Sequence, residues 1–203
     1  MGTFKASAKC KTGGDIMKLS TKQIAFVGLL SALASVLMFF PHIPILAAFP
    51  FLKADFSDVP ALMAALTIHP LSGVLVELVK NAIHLPFSDT SFIGELSNFI
   101  VGSMFVLSAG FLSQKCFPKM LMRKKLLITL PLSVLVMDAA AALSNTFLIG
   151  PMYFGGLNEQ VKNFVLYGAF PFNLIKGGLE AVAFYVLYRA LAPTILKNQF
   201  EYR

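Results

Sequence analysis

Six almost entirely apolar stretches of helical length constrain this fold more than any other feature of the sequence. Cut at their proline, glycine and polar boundaries, they cover residues 23–40, 59–68, 71–84, 94–113, 125–149 and 165–191. Hydrophobic residues make up 57% of the chain and charged residues only 13%, an excess of apolar surface that 203 residues cannot bury in a water-soluble core. We therefore expect an all-α integral membrane protein with six transmembrane helices.

The second and third stretches leave the number of spans open. Residues 59–68 are short for a bilayer that requires about 20 helical residues, and they meet the third stretch at His69 and Pro70. Because proline kinks or breaks a helix, the two stretches are either separate spans or one bent span.

The positions of the basic residues favour six spans. Of the 17 lysines and arginines, 13 lie in the N-terminal region up to Lys22, between the fourth and fifth stretches, and in the C-terminal region from Arg189. Lys and Arg collect on the cytoplasmic side, and six spans place these three regions together, with both termini cytoplasmic. Every basic cluster borders an apolar stretch, which argues against nucleic acid as a partner.

The N-terminal 16 residues are polar and basic and lack the apolar region of a cleavable signal peptide. Met17 is an alternative start, so residues 1–16 are either native or an addition to the native chain. Residues 17–203 then form one six-helix transmembrane domain, with no visible repeat or second domain.

Polar side chains recur at one depth, in the outer half of four predicted spans. They are Lys80, Asn81, Glu95, Asn98, Asn145, Asn173 and Lys176. Charges near the bilayer centre cost at least about 2.5 to 3.5 kcal/mol, and amides both donate and accept hydrogen bonds. We expect these groups to converge on an outward-facing pocket for a small, flat, uncharged molecule. Alternatively, the asparagines are interhelical contacts, worth about 0.6 kcal/mol each.

Three further ionisable residues, Glu77, Asp138 and Glu180, lie within the spans. Glu77 and Glu180 are either halves of helix-face ion pairs with Lys80 and Lys176 or, together with Asp138, acid and base groups of an intramembrane enzyme. The sequence contains no phosphate-binding glycine loop, HExxH or GxSxG motif. It therefore favours binding over catalysis, and it predicts no cofactor or metal site.

Four nearby segments resemble a known family. They read LKADFSDVP at residues 52–60, HPLSG at 69–73, ELVKNAIH at 77–84 and GELSNF at 94–99. They resemble the riboflavin-specific S component, the substrate-binding subunit of energy-coupling-factor (ECF) transporters, and the match extends over residues 18–191. Residues 88–93 depart from the pattern, because a more glycine-rich turn is expected there.

The resemblance implies a multi-pass subunit of the bacterial cell membrane that captures riboflavin from outside with high affinity. It implies association with a transmembrane coupling subunit and two cytoplasmic ATPases, which would hydrolyse ATP in place of this chain. Small residues on the first span, Gly28 and Ala32, would dock the coupling subunit, and residues 43–57 would cover the ligand. The expected substrate-binding residues are Leu52, Asp55, Lys80, Glu95, Asn98, Asn145, Asn173 and Lys176. An S component for another vitamin and a solitary carrier remain alternatives.

Overall fold

The computed structural model describes residues 19–40, 43–90, 92–118 and 120–191. Its helices are α1 (Thr21–Phe39), α2 (Asp58–Thr67), α3 (Pro70–His84), α4 (Ile93–Phe111), α5 (Met122–Ser144), α6 (Gly150–Phe154), α7 (Glu159–Phe164) and α8 (Phe170–Leu191). The strands β1 (Ile43–Pro44) and β2 (Lys53–Ala54) pair antiparallel in the connection between α1 and α2. The predicted N-terminal tail, residues 1–16, lies outside the described residues.

Three π-helical turns join or extend these helices into long rods. Asn145–Ile149 connects α5 to α6, Val165–Ala169 connects α7 to α8, and Leu112–Cys116 extends α4. In the part of the chain that the structure describes, four rods are long and apolar enough to cross a membrane, namely Thr21–Phe39, Ile93–Cys116, Met122–Phe154 and Glu159–Leu191. All six predicted stretches are helical, so the all-α, multi-helix membrane architecture is confirmed.

The junction at His69 and Pro70 separates two helices instead of bending one. His69 caps α3, with its Nδ1 accepting a hydrogen bond from the Leu71 backbone N–H at 3.2 Å. Pro70 takes the first helical position, where its missing N–H costs nothing. The ten residues of α2 are about 15 Å long, roughly half the thickness of a bilayer core.

Helix α2 lies at the centre of the bundle, in contact with α1, α3, α4 and α8. Every residue of α2 except Met63 is buried. Close approach to α3 depends on Gly73, because a Cβ there would lie 2.8 Å from the Ala61 carbonyl oxygen. The outward surfaces carry apolar residues such as Leu29, Leu135 and Val182, as expected for contact with lipid.

Candidate functional site

A cavity of about 660 Å³ opens at one end of the bundle. Its walls come from the ends of α1 and α3, the strand-containing connection between α1 and α2, and the turn after α3. Helices α4, α6, α7 and α8 and the π-helical turns after α5 and α7 complete them. Seven residues predicted to bind substrate line it: Leu52, Asp55, Glu95, Asn98, Asn145, Asn173 and Lys176. The structure therefore brings together polar groups that are up to 121 positions apart in the sequence, from Asp55 to Lys176.

Asn145 and Asn173 present acceptors to the cavity. The Asn145 Nδ2 donates to the Ala141 carbonyl oxygen at 2.8 Å, and the Asn173 Nδ2 donates to that of Ala169 at 2.7 Å. Each bond fixes the amide plane and leaves Oδ1 able to accept a hydrogen bond. Asn145 begins one π-helical turn and Ala169 ends another, and such turns are frequent at functional sites.

Asn98 of α4 and Lys176 of α8 are joined by a hydrogen bond at the wall of the cavity. The Lys176 Nζ donates to the Asn98 Oδ1 at 3.1 Å, which leaves the Asn98 amide N–H groups free to donate. An ammonium has three N–H donors, so Lys176 retains donors beyond this bond. The pair supplies donors to a cavity in which Asn145 and Asn173 supply acceptors.

Glu95 faces the cavity with both carboxylate oxygens already in contact with neighbours. Its Oε1 lies 3.0 Å from the His84 Nδ1, and its Oε2 accepts from the Ser88 Oγ at 2.6 Å. Glu95 thereby ties the end of α3 and the following turn to α4. His84 also lines the cavity, although sequence reasoning did not select it.

Lys80 does not line the cavity, in contrast to the sequence prediction. Its side chain is completely buried and turned towards the start of α2. There its Nζ contacts the Asp58 Oδ1, donates to the Ser57 Oγ at 2.8 Å, and lies 2.9 Å from the Glu77 Oε2. Its partners Ser57 and Asp58 lie 23 and 22 positions away, so no helical spacing indicated this pairing.

Aromatic side chains form much of the remaining wall. Phe51 stacks on Tyr153, with ring centroids 5.2 Å apart and planes 18° apart, and Phe164 lies 5.8 Å from Phe51. Phe39, Phe87 and Phe172 complete the aromatic lining. These rings offer flat apolar surfaces to a planar ligand.

The small residues of α1 lie on its outward side. Gly28 and Ala32 are exposed, and a Cβ at Gly28 would meet no atom within 4 Å. Ser31 and Ser35 point inwards, and each donates its hydroxyl to a backbone carbonyl one turn earlier. The exposed pair therefore provides a shallow surface against which another helix can pack closely.

Comparison with known proteins identifies a matching family. The family model described as the substrate-specific component of ECF transporters matches residues 22–188. One relative is the riboflavin transporter RibU of Staphylococcus aureus, which is 35% identical over 84% of this chain and 90% of the relative. Another is the riboflavin transporter FmnP of Bacillus subtilis, which is 34% identical over 87% of this chain and 95% of the relative. A solved S component of a bacterial ECF transporter superposes with a TM-score of 0.71 at 36% identity, covering 85% of this chain and 96% of that one.

Proposed function

Because the chain belongs to the substrate-specific components of ECF transporters, we propose that it captures riboflavin in the cavity and delivers it to a partner coupling module. The single observation that carries this proposal is the convergence of Asn98, Asn145, Asn173 and Lys176 on one cavity of about 660 Å³. The chain is a transporter subunit and not an enzyme, so ATP hydrolysis falls to partner subunits.

The chemistry of the cavity suits an isoalloxazine ring. The ring is flat and aromatic, and one edge carries two carbonyl oxygens on either side of the N3–H group. The Lys176 ammonium and the Asn98 amide donate to the carbonyls, while the Asn173 or Asn145 Oδ1 accepts from N3–H or from ribityl hydroxyls. Phe51 and Tyr153 contact the apolar ring faces.

The charges around the cavity favour the uncharged vitamin over its phosphorylated form. Among the described residues that line the cavity there is no arginine, the residue best suited to bidentate phosphate binding. Three carboxylates, those of Asp55, Asp89 and Glu95, line it against two lysines, Lys53 and Lys176, so the balance of charge disfavours a phosphate. We therefore expect riboflavin to bind more tightly than flavin mononucleotide.

The orientation of the chain in the membrane and its association with a coupling module belong to the same proposed function. The chain resides in a bacterial plasma membrane with both termini cytoplasmic, as the basic residues indicate. A transmembrane coupling subunit and two cytoplasmic ATPases supply the energy for release of riboflavin inside the cell. Residues 43–57, which include the lining residues Leu52 and Asp55, cover the bound ligand.

Purification from a riboflavin-containing culture tests this function. The purified protein is expected to be yellow with flavin absorbance, and the ligand-free protein is expected to quench riboflavin fluorescence on titration. A colourless preparation that leaves riboflavin fluorescence unchanged would refute the proposal. Uptake that persists in cells lacking the coupling ATPases would instead favour a solitary carrier.

Leucine at Gly28 or Ala32 is expected to lower riboflavin uptake by about tenfold or more without changing riboflavin affinity. The larger side chain would hold the coupling subunit away from α1. Uptake is measured in cells or vesicles that contain the coupling module, and affinity is measured on the purified subunit.

Gly178→Leu is the matched control, because a Cβ at Gly178 on α8 also meets no atom within 4 Å. It is expected to transport normally. Normal uptake by both the Gly28 and Ala32 variants would show that this surface of α1 does not dock the partner.

A further inference from the structure

A buried cluster of six charged residues lies next to the cavity, and most of its members do not line it. The cluster comprises Asp55, Asp58, Glu77, Lys80, Lys176 and Glu180, each less than 7% exposed. Buried charges are strongly unfavourable unless they are paired. Two ammonium groups are shared here among four carboxylates, so the position of each ammonium is set by several partners.

Asp58 is the only residue in this cluster whose two oxygens contact different lysines. Its Oδ1 contacts the Lys80 Nζ, and its Oδ2 lies 3.7 Å from the Lys176 Nζ. Lys80 in turn holds Ser57, the residue before Asp58, through a hydrogen bond of 2.8 Å. Lys80 on α3 therefore anchors the first residue of α2, and that residue faces Lys176 on α8.

The Lys176 ammonium lies close to three carboxylates that are also close to one another. The carboxylates of Asp55, Asp58 and Glu180 offer oxygens that lie within 4.8 Å of one another. The Nζ of Lys176 is 3.7 to 3.8 Å from each of the three residues. Its hydrogen bond goes to Asn98, which lines the cavity.

We propose that Asp58, anchored by Lys80, is a positioning residue that holds the Lys176 ammonium beside Asn98, where it donates to the ligand. This inference rests on the proposed function and extends it, because neither Asp58 nor Lys80 lines the cavity. Removal of Asp58 leaves Lys176 to Asp55 and Glu180, which lie on the connection before α2 and on α8 itself. The ammonium then shifts away from Asn98.

A double-mutant cycle separates positioning from general stabilisation. Asp58→Asn is combined with Lys80→Met, so that the Asp58 charge is removed together with that of Lys80 and only the Glu77 carboxylate loses its ammonium partner. Riboflavin affinity is measured by fluorescence quenching for the wild type, for D58N/K80M, for Lys176→Met and for the triple variant. Thermal unfolding in detergent verifies that each variant is folded.

We expect D58N/K80M to bind riboflavin about tenfold more weakly than the wild type. The triple variant is expected to bind as Lys176→Met does, within about threefold, because Asp58 acts only through Lys176. Wild-type affinity in D58N/K80M, or losses that simply add in the triple variant, would overturn the proposal.

Asp138→Asn is the matched control, since Asp138 on α5 is a buried carboxylate, 2% exposed, outside the cluster and the cavity. It is expected to keep wild-type affinity, and an equal loss there would overturn the special role of Asp58.

If D58N/K80M does not fold, Asp58→Glu serves instead. Its extra methylene should displace the ammonium and weaken binding only when Lys176 is present, and unchanged affinity would count against the proposal. Failure of the wild type to bind riboflavin would overturn the proposed function itself.

Discussion

Replacing Lys176 with methionine is expected to weaken riboflavin binding by about 10- to 100-fold, or about 1.4 to 2.8 kcal/mol. Methionine fills much of the same space but removes the ammonium that bonds to Asn98 and faces the cavity. The loss matches the value of a hydrogen bond from a charged donor, about 1.5 to 3 kcal/mol. Equilibrium titration of riboflavin fluorescence with the purified variant measures the change.

Lys162→Met is the control for this substitution. Lys162 on α7 is exposed, pairs with Glu159 at 2.9 Å and lies outside the cavity lining. Surface ion pairs of this kind contribute about 0 to 1 kcal/mol to stability, so the control should bind riboflavin normally. Unchanged riboflavin affinity in the Lys176→Met variant would show that this part of α8 does not bind the ligand.

Lys80→Met is expected to lower the free energy of unfolding of the ligand-free protein by about 3 to 5 kcal/mol. The substitution leaves the carboxylates of Asp58 and Glu77 buried without the ammonium that lies between them. The bare backbone of Gly102 packs closely against this carboxylate, since a Cβ there would lie 2.8 Å from the Glu77 carboxyl carbon. Denaturant titration in detergent micelles measures the loss.

Addition of Asp58→Asn to Lys80→Met should restore part of the lost stability, because one unmatched buried charge is removed. This restoration distinguishes a structural ion pair from a ligand contact. If the Lys80→Met protein instead keeps full stability but binds riboflavin more weakly, Lys80 binds the ligand, as the sequence analysis predicted.

The helices were predictable because lipid contact demands long apolar stretches, and these are visible without an alignment. The end of the third rod and the start of the fourth were not predictable in this way. The sequence prediction ends the fifth stretch at residue 149, before Gly150 and Pro151, but Pro151 lies in the first turn of α6, where proline is tolerated, and the rod continues to Phe154. The fourth rod, which contains the sixth predicted stretch, begins at Glu159 instead of residue 165, because α7 and a π-helical turn precede α8.

Much of the cavity was predictable for a related reason: amides and charges inside a membrane span are costly, so Asn98, Asn145, Asn173 and Lys176 stand out in the sequence. The location of Lys80 was not predictable. Helical spacing indicated the pair with Glu77, whose Oε2 lies 2.9 Å from the Lys80 Nζ, but the other charged partner, Asp58, begins another helix.

Which aromatic residues line the cavity could not be predicted from the sequence, for a different reason. The chain contains 20 phenylalanines and 5 tyrosines, and most apolar positions of a membrane bundle suit such residues equally well. Only the folded chain brings Phe51, from the connection before α2, against Tyr153 of α6.

The proposed function requires that amides and one ammonium in a single cavity bind the polar edge of the flavin. Fluorescence titration of the purified wild-type protein with riboflavin and with its N3-methyl derivative is the decisive measurement, because methylation removes the N3–H donor and adds bulk at that edge. We expect tight binding of riboflavin and binding of the N3-methyl derivative that is weaker by about tenfold or more. Equal affinity for the two compounds, or no binding of either, would contradict it.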